Sequence, residues 1–169
     1  MTEPSFTQPA IVKRSANGWN DVPAEGYTPG EQTKVVRHTL IGRRKDEANK
    51  QGPTLELRYF EVPPGAVTRL EKHEHEHYVI IGHGHGHAIV GTEVSEVGPR
   101  DVVYIAPLVP HQFVNNSDAS FGFFCVVSAV RDFSQQLSAS ELANLLASPA
   151  GPYLDPDGAP PPRKGNLEK

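Results

Sequence analysis

The chain has 169 residues, 37% of them hydrophobic and 21% charged, with a formal net charge of −4. That length suits one domain with a buried core rather than two, and the balance excludes both the basic footprint of a nucleic-acid binder and the composition of a disordered acidic chain. A small molecule is left as the expected partner, with neither nucleic acid nor membrane, because no stretch approaches the roughly 20 apolar residues of a membrane span. The opening MTEPSFTQPAIVK lacks the basic-then-apolar order of a secretion signal. The single cysteine, Cys125, sits inside the apolar run FGFFCVVSAV, so no intramolecular disulfide forms. It reads as a small buried hydrophobe in a reducing compartment, and the cytoplasm is the expected location.

In chain order, residues 1–33 form an N-terminal extension without sustained periodicity, although IVKRSANGWNDV is able to add an edge strand. Eight strand candidates then follow at short spacing: 34–41, 54–62, 75–81, 86–90, 92–97, 101–106, 111–115 and 121–130. Turn-type stretches such as VPPGA, IVGTE, VGPRD and NNSDAS separate them. Many short strands joined by turns argue for an all-β sandwich or barrel over residues 34–131, not for alternating βαβ units. Residues 132–148 hold one short C-terminal helix: Ser138 and Glu141 have capping-box spacing, and Leu142, Leu145 and Leu146 share a face. From 149 to 169 the chain is proline-rich, polar and expected to be extended or disordered.

The chemistry concentrates in KHEHEHYVIIGHGHGHAIVG, where six histidines fall within the fifteen positions 73–87. Strand alternation would turn Glu71, His73, His75 and His77 to one face, a row of imidazoles and a carboxylate that needs one further ligand from elsewhere. His111, which opens a strand after a proline-framed turn, is the candidate donor. In the second triplet, His83, His85 and His87, glycines at alternate positions signal a tight turn that would not keep the three on one face. His38, in VVRHTL, reads as a strand residue.

These residues resemble the two-motif barrel of the cupin superfamily. Its first motif, G-x5-H-x-H-x3or4-E-x6-G, matches Gly65, Glu71, His73, His77 and Gly84 in spacing, with the carboxylate and one imidazole exchanged. In the second, G-x5-P-x-G-x2-H-x3-N, His111 and Asn115 are kept while Arg100, Ala106 and Leu108 replace glycine, proline and glycine. The resemblance covers about residues 54–130 and implies a jelly-roll barrel, a homodimer, and one divalent transition metal held by Glu71, His73, His77 and His111. His75 is an alternative to Glu71, unless a bulge swings it out of the cluster. Such donors suit Fe(II), Mn(II), Ni(II), Co(II) or Zn(II) and leave one or two coordination positions open.

Fold does not determine function here, because this superfamily includes dioxygenases, isomerases, decarboxylases, lyases, storage proteins and sugar-binding regulatory domains. The leading expectation is a metal-dependent small-molecule enzyme, a non-haem dioxygenase first. The alternatives are an oxygen-independent lyase or isomerase and a non-catalytic metal- or ligand-binding module. Two further residues are catalytic or binding candidates. Arg58 is a cation on the strand TLELRYFEV, placed to meet an anionic substrate group or to pair with Glu61 or Glu71. Tyr104 is a pocket-lining aromatic and a candidate base.

Overall fold

A computed structural model describes residues 10–16, 18–27, 35–45, 48 and 51–158. Its strands, in chain order, are β1 (Arg14–Ser15), β2 (Gly18–Trp19), β3 (Glu25–Gly26), β4 (Val36–Ile41), β5 (Leu55–Val62), β6 (His77–His83), β7 (Gly86–Val90), β8 (Glu93–Val97), β9 (Val102–Ile105), β10 (His111–Val114) and β11 (Phe121–Ser128). One sheet has the order β3-β4-β5-β11-β6-β9 and the other β10-β7-β8, with every pairing antiparallel. Bridges from Val67 to Val114 and from Glu71 to His111 lay the segment 67–71 along β10 and widen the smaller sheet. The result is the expected all-β jelly roll.

Period-two patterning explains which face of each strand turns inward. Along β6, His77, Val79 and Ile81 are buried while Tyr78 and Ile80 stay exposed. Along β11, Phe121, Phe123, Cys125 and Val127 face inward. Rings stack through the middle: Phe123 lies 5.2 Å from Phe60 and 4.4 Å from Phe113.

The glycine-interleaved triplet does form the expected turn. Gly84 has φ of +70°, and a Cβ there would lie 2.2 Å from the Ser120 carbonyl oxygen, so only glycine fits. The turn sends the histidines to separate partners: His83 to Glu61 and His87 to Asn116. The motif's glycine positions show a related effect. Gly65 and Gly84 have positive φ, and so do Arg100 and Leu108, at +79° and +62°. The backbone thus keeps left-handed turns where glycine has been replaced, at about 1–2 kcal/mol of strain each.

At the chain's ends the structure adds detail to the expected outline. The segment 11–22 does not join a large sheet; β1 and β2 pair with each other, and the edge strand is β3, beside β4. Trp19 of this hairpin packs edge-on against Tyr59 and Phe124, covering outward apolar rings. The helix α1 occupies only Ala139–Leu146, with both arms of the Ser138–Glu141 capping box formed. Ahead of it the chain runs extended, and Gln135 bridges Lys72. Of the leucine stripe, Leu145 is buried whereas Leu146 is 45% exposed, because only one edge of so short a helix meets the barrel. The tail is ordered through Gly158: Ala150 is buried, and the Gln112 side chain exchanges hydrogen bonds of 3.0 Å with the Asp155 backbone. A buried amide needs partners, and the tail supplies them. Residues 159–169 lie outside the described residues. No helix among the described residues is long and apolar enough to cross a membrane.

Candidate metal centre

Three elements bring the imidazoles together. His77 opens β6, His111 opens β10, and His73 sits in the connection before β6, held by the Leu108 amide, which donates to the His73 carbonyl at 2.7 Å. All three side chains are buried, and one nitrogen or other ligand atom from each lies within 4.8 Å of the others. Among the described residues no other group of three or more His, Cys, Asp or Glu converges in this way.

Hydrogen bonding determines which nitrogens are free. His73 Nδ1 lies 2.6 Å from the His75 carbonyl oxygen, and His111 Nδ1 lies 3.0 Å from that of Val109. A carbonyl only accepts, so each Nδ1 carries the proton and each Nε2 keeps its lone pair. Nε2 of His73 and Nε2 of His77 are buried with no hydrogen-bond partner. Orphaned acceptors of this kind are expensive in a dry interior unless an ion completes them.

Electrostatics favours the same occupant. Burial, with the neighbouring His111 and His75, lowers the His73 pKa to about 4. Burial and then the Arg58 guanidinium hold His77 well below its usual value, and burial also lowers His111. The rings are therefore neutral near pH 7, the form that binds metal. A consequence is testable on metal-free protein. In the unfolded chain these histidines take protons below about pH 6.5, whereas folded His73 resists until about pH 4. Stability should therefore be full above pH 6.5 and fall progressively between those values. Chemical-denaturation midpoints at pH 7.5, 6, 5 and 4 check this, and a midpoint that does not drop would contradict the neutral assignment.

Glu71 stands beside the cluster but outside it. Its Oε1 accepts from the Tyr27 hydroxyl at 2.7 Å, and Oε2 is buried without a hydrogen bond of good geometry. Burial alone would raise its pKa, but His111, the Ser134 and Tyr27 hydroxyls and His73 together hold it below the usual carboxylate range. An ionised carboxylate is thus stored next to the imidazoles. Tyr27 comes from the N-terminal extension, where no periodicity marked it as a site residue. Its phenol pKa is pushed well up by burial and by Glu71.

His75 is turned away, as a bulge would do. Its Nδ1 lies 2.6 Å from Asp132 Oδ1, and the amides of Glu74 and His75 also donate to Asp132. Asp132 thus pins the connection that carries His73 and keeps His75 stacked behind it, ring centroids 3.5 Å apart. No sequence pattern pointed to this partner, which lies 57 residues from His75.

Arg58 faces the interior, as expected, but its partners differ. Nη2 donates to Cys125 Sγ at 3.1 Å, and Nε lies 3.6 Å from Glu56, which also takes Arg131 at 3.0 Å. Glu61 points to the other face of β5, where it accepts from Tyr59 and meets His83. Tyr104 corrects its expectation: it is 49% exposed on the outer face and donates to Glu76 at 2.7 Å, so it does not line the interior. Cys125 is buried as expected and also lines a small cavity with Glu71, His77, His111 and Tyr27.

Comparison with known proteins agrees with this architecture. The cupin domain model matches residues 58–127. A relative from Rhodospirillum rubrum named 1-methylthio-D-xylulose 5-phosphate methylsulfurylase is 48% identical over 105 residues, covering 62% of this chain and 67% of that protein. The crystal structure of a cupin-2 domain from Rhodospirillum rubrum matches at 38% identity and a TM-score of 0.70, covering 86% of this chain and 95% of its own. A cupin 2 conserved barrel domain protein from Rhodopseudomonas palustris matches at 35% identity and a TM-score of 0.67, covering 80% and 91%. With two antiparallel sheets, buried imidazoles from separate strands and these relatives in agreement, the chain belongs to the cupin superfamily.

Proposed function

We propose that the protein is a metal-dependent enzyme that removes a thioether sulfur from a phosphorylated ketose without using oxygen. The observation that carries the reading is the convergence of three buried imidazoles, two of them (His73 and His77) with orphaned Nε2 atoms, in a chain 48% identical to a protein named for a 1-methylthio ketose phosphate. His73, His77 and His111 would hold one divalent transition metal, and Glu71 is the fourth candidate ligand, reached by a side-chain rotation away from Tyr27. A bound metal with open positions would polarise a carbonyl oxygen and disperse the negative charge that builds on it.

Sulfur removal next to a carbonyl sets the remaining requirements. When the C1–S bond breaks and carbon keeps the electron pair, the sulfur must go to an acceptor, here a small-molecule thiol that forms an S–S bond and gives up its proton. The carbon then takes one proton, so the ketose leaves as its 1-deoxy form and the two sulfurs leave as a mixed disulfide. Where Glu71 stays off the metal, it and Tyr27, hydrogen-bonded at the cavity wall, are the groups placed to hold and move that proton.

The reading places the protein in the cytoplasm. It also takes the exposed apolar side chains Tyr78, Ile80, Val102 and Tyr104 on β6 and β9 as a surface for a second subunit.

The test is anaerobic incubation of protein loaded in turn with Mn(II), Fe(II), Co(II), Ni(II) or Zn(II) with 1-methylthio-D-xylulose 5-phosphate and a small thiol, followed by NMR. Consumption of the thioether and appearance of a mixed disulfide are expected with at least one metal. Turnover only in air, with oxygen uptake, would replace this reading by the dioxygenase. Binding without turnover under every condition would leave the non-catalytic module.

A further inference from the structure

The cations near the barrel interior have partners, with one exception. Arg58 and Arg131 share Glu56, and Lys72 is taken by Glu141. Arg69 is half-buried, its Nε is buried without a hydrogen-bond partner, and among the described residues no carboxylate pairs with it. Its guanidinium carbon lies 5.1 Å from the centroid of the Tyr27 ring. A half-buried guanidinium whose Nε has no hydrogen-bond partner among the described residues is suited to take an anion, since arginine withdrawn from water is usually matched by one.

Position adds meaning to this vacancy in the charge balance. Arg69 lines the same cavity wall as Glu71, His77 and His111. The segment that carries it is rigidly tied to β10: Thr68 N donates to Phe113 O at 2.9 Å, Phe113 N to Thr68 Oγ1 at 2.8 Å, and His111 N to Glu71 O at 3.0 Å. The backbone that carries Arg69 is therefore held at a set distance from the imidazoles.

We propose that Arg69, stacked on Tyr27 beside the three imidazoles, is the anchor for the phosphate monoester of the ligand. The identification of that anion as a phosphate rests on the function proposed above. A ketose 5-phosphate places phosphorus five bonds, roughly 6 Å, from its carbonyl carbon, so an anchor on the same cavity wall as the imidazoles is the kind of site it needs. The cavity of about 20 Å³ holds little more than one water or an ion, so a bound phosphate would have to lie on the solvent-reaching side of Arg69. A planar fork of donors suits a tetrahedral oxyanion bidentately. Arg69 is a binding residue; it takes no part in bond breaking.

Isothermal titration calorimetry with inorganic phosphate, D-xylulose 5-phosphate and D-xylulose tests the assignment on wild-type, Arg69→Met and Arg69→Lys proteins. Wild type is expected to favour the phosphate ester over the free ketose by roughly 10- to 100-fold, the range of charge-assisted hydrogen bonds. Arg69→Met should abolish that preference and the response to inorganic phosphate, while Arg69→Lys should restore part of it. Metal content, measured separately, should equal wild type in both variants. A preference that survives in Arg69→Met, or its absence from wild type, would overturn the proposal. An Arg69-dependent preference in a protein that never consumes the thioether would uphold the anchor and discard the proposed reaction, so the two fail independently.

Discussion

His77→Ala and His111→Ala should each reduce bound divalent metal from about one ion per chain to a trace, whereas His85→Ala should leave it unchanged. Removing hydrogen-bond partners behind a ligand already weakens metal affinity about 10- to 100-fold, so deleting a ligand should do so by roughly 100-fold or more. The two histidines come from different sheets and leave a buried hole when removed, whereas His85 lies in the β6–β7 turn beside Gly98. Plasma mass spectrometry of dialysed protein gives the stoichiometry, and circular dichroism checks that the barrel persists. Metal retained by both variants would refute the three-imidazole centre. Glu71→Gln separates two roles for the carboxylate. Loss of metal would make Glu71 the fourth ligand, while metal retained with turnover lost would leave it as Tyr27's partner in proton handling.

Glu56→Leu should destabilise the protein by about 3–5 kcal/mol, the usual consequence of removing one member of a buried ion pair, which for a chain of this size is roughly 6–20 °C in Tm. The Glu56 and Arg131 side chains are 3% and 4% exposed, and Arg58 is as deeply placed. Without Glu56, two guanidinium groups would remain in the interior with Cys125 Sγ and the Ser128 carbonyl as their remaining acceptors. Replacing all three charged residues by apolar ones of similar volume should recover much of the loss, because the desolvation of the charges is then removed as well. Urea denaturation measures both changes. A Glu56→Leu protein within 1 kcal/mol of wild type would show that water reaches this triad in solution.

Much of the barrel was legible because its strands are written in a two-residue period that a local reading detects. The eight expected strands correspond to β4 through β11 with ends shifted by a few residues. Short strands such as β1, β2 and β3, each two residues long, carry too few residues for any period. The docking of residues 149–158 was not legible because proline-rich polarity says nothing about a buried glutamine 43 residues earlier that needs their backbone. Tyr104 was misjudged for a related reason: aromatic content shows that a ring prefers burial, but strand register decides which face it takes, and opposite Tyr78 it faces out.

The amino-acid sequence alone determined the class of fold and offered His73, His77 and His111 among five ligand candidates, since strand alternation and the spacing of paired motifs are local properties that survive without coordinates. Only the tertiary structure decided which groups surround those imidazoles: Tyr27 on Glu71, Asp132 on His75, Glu56 between Arg58 and Arg131, and Arg69 beside Tyr27 on the same cavity wall. Those contacts join residues separated by tens of positions, and they depend on how two sheets stack. The interaction of a charge with its surroundings is a sum over neighbours in space, which no reading along the chain can supply.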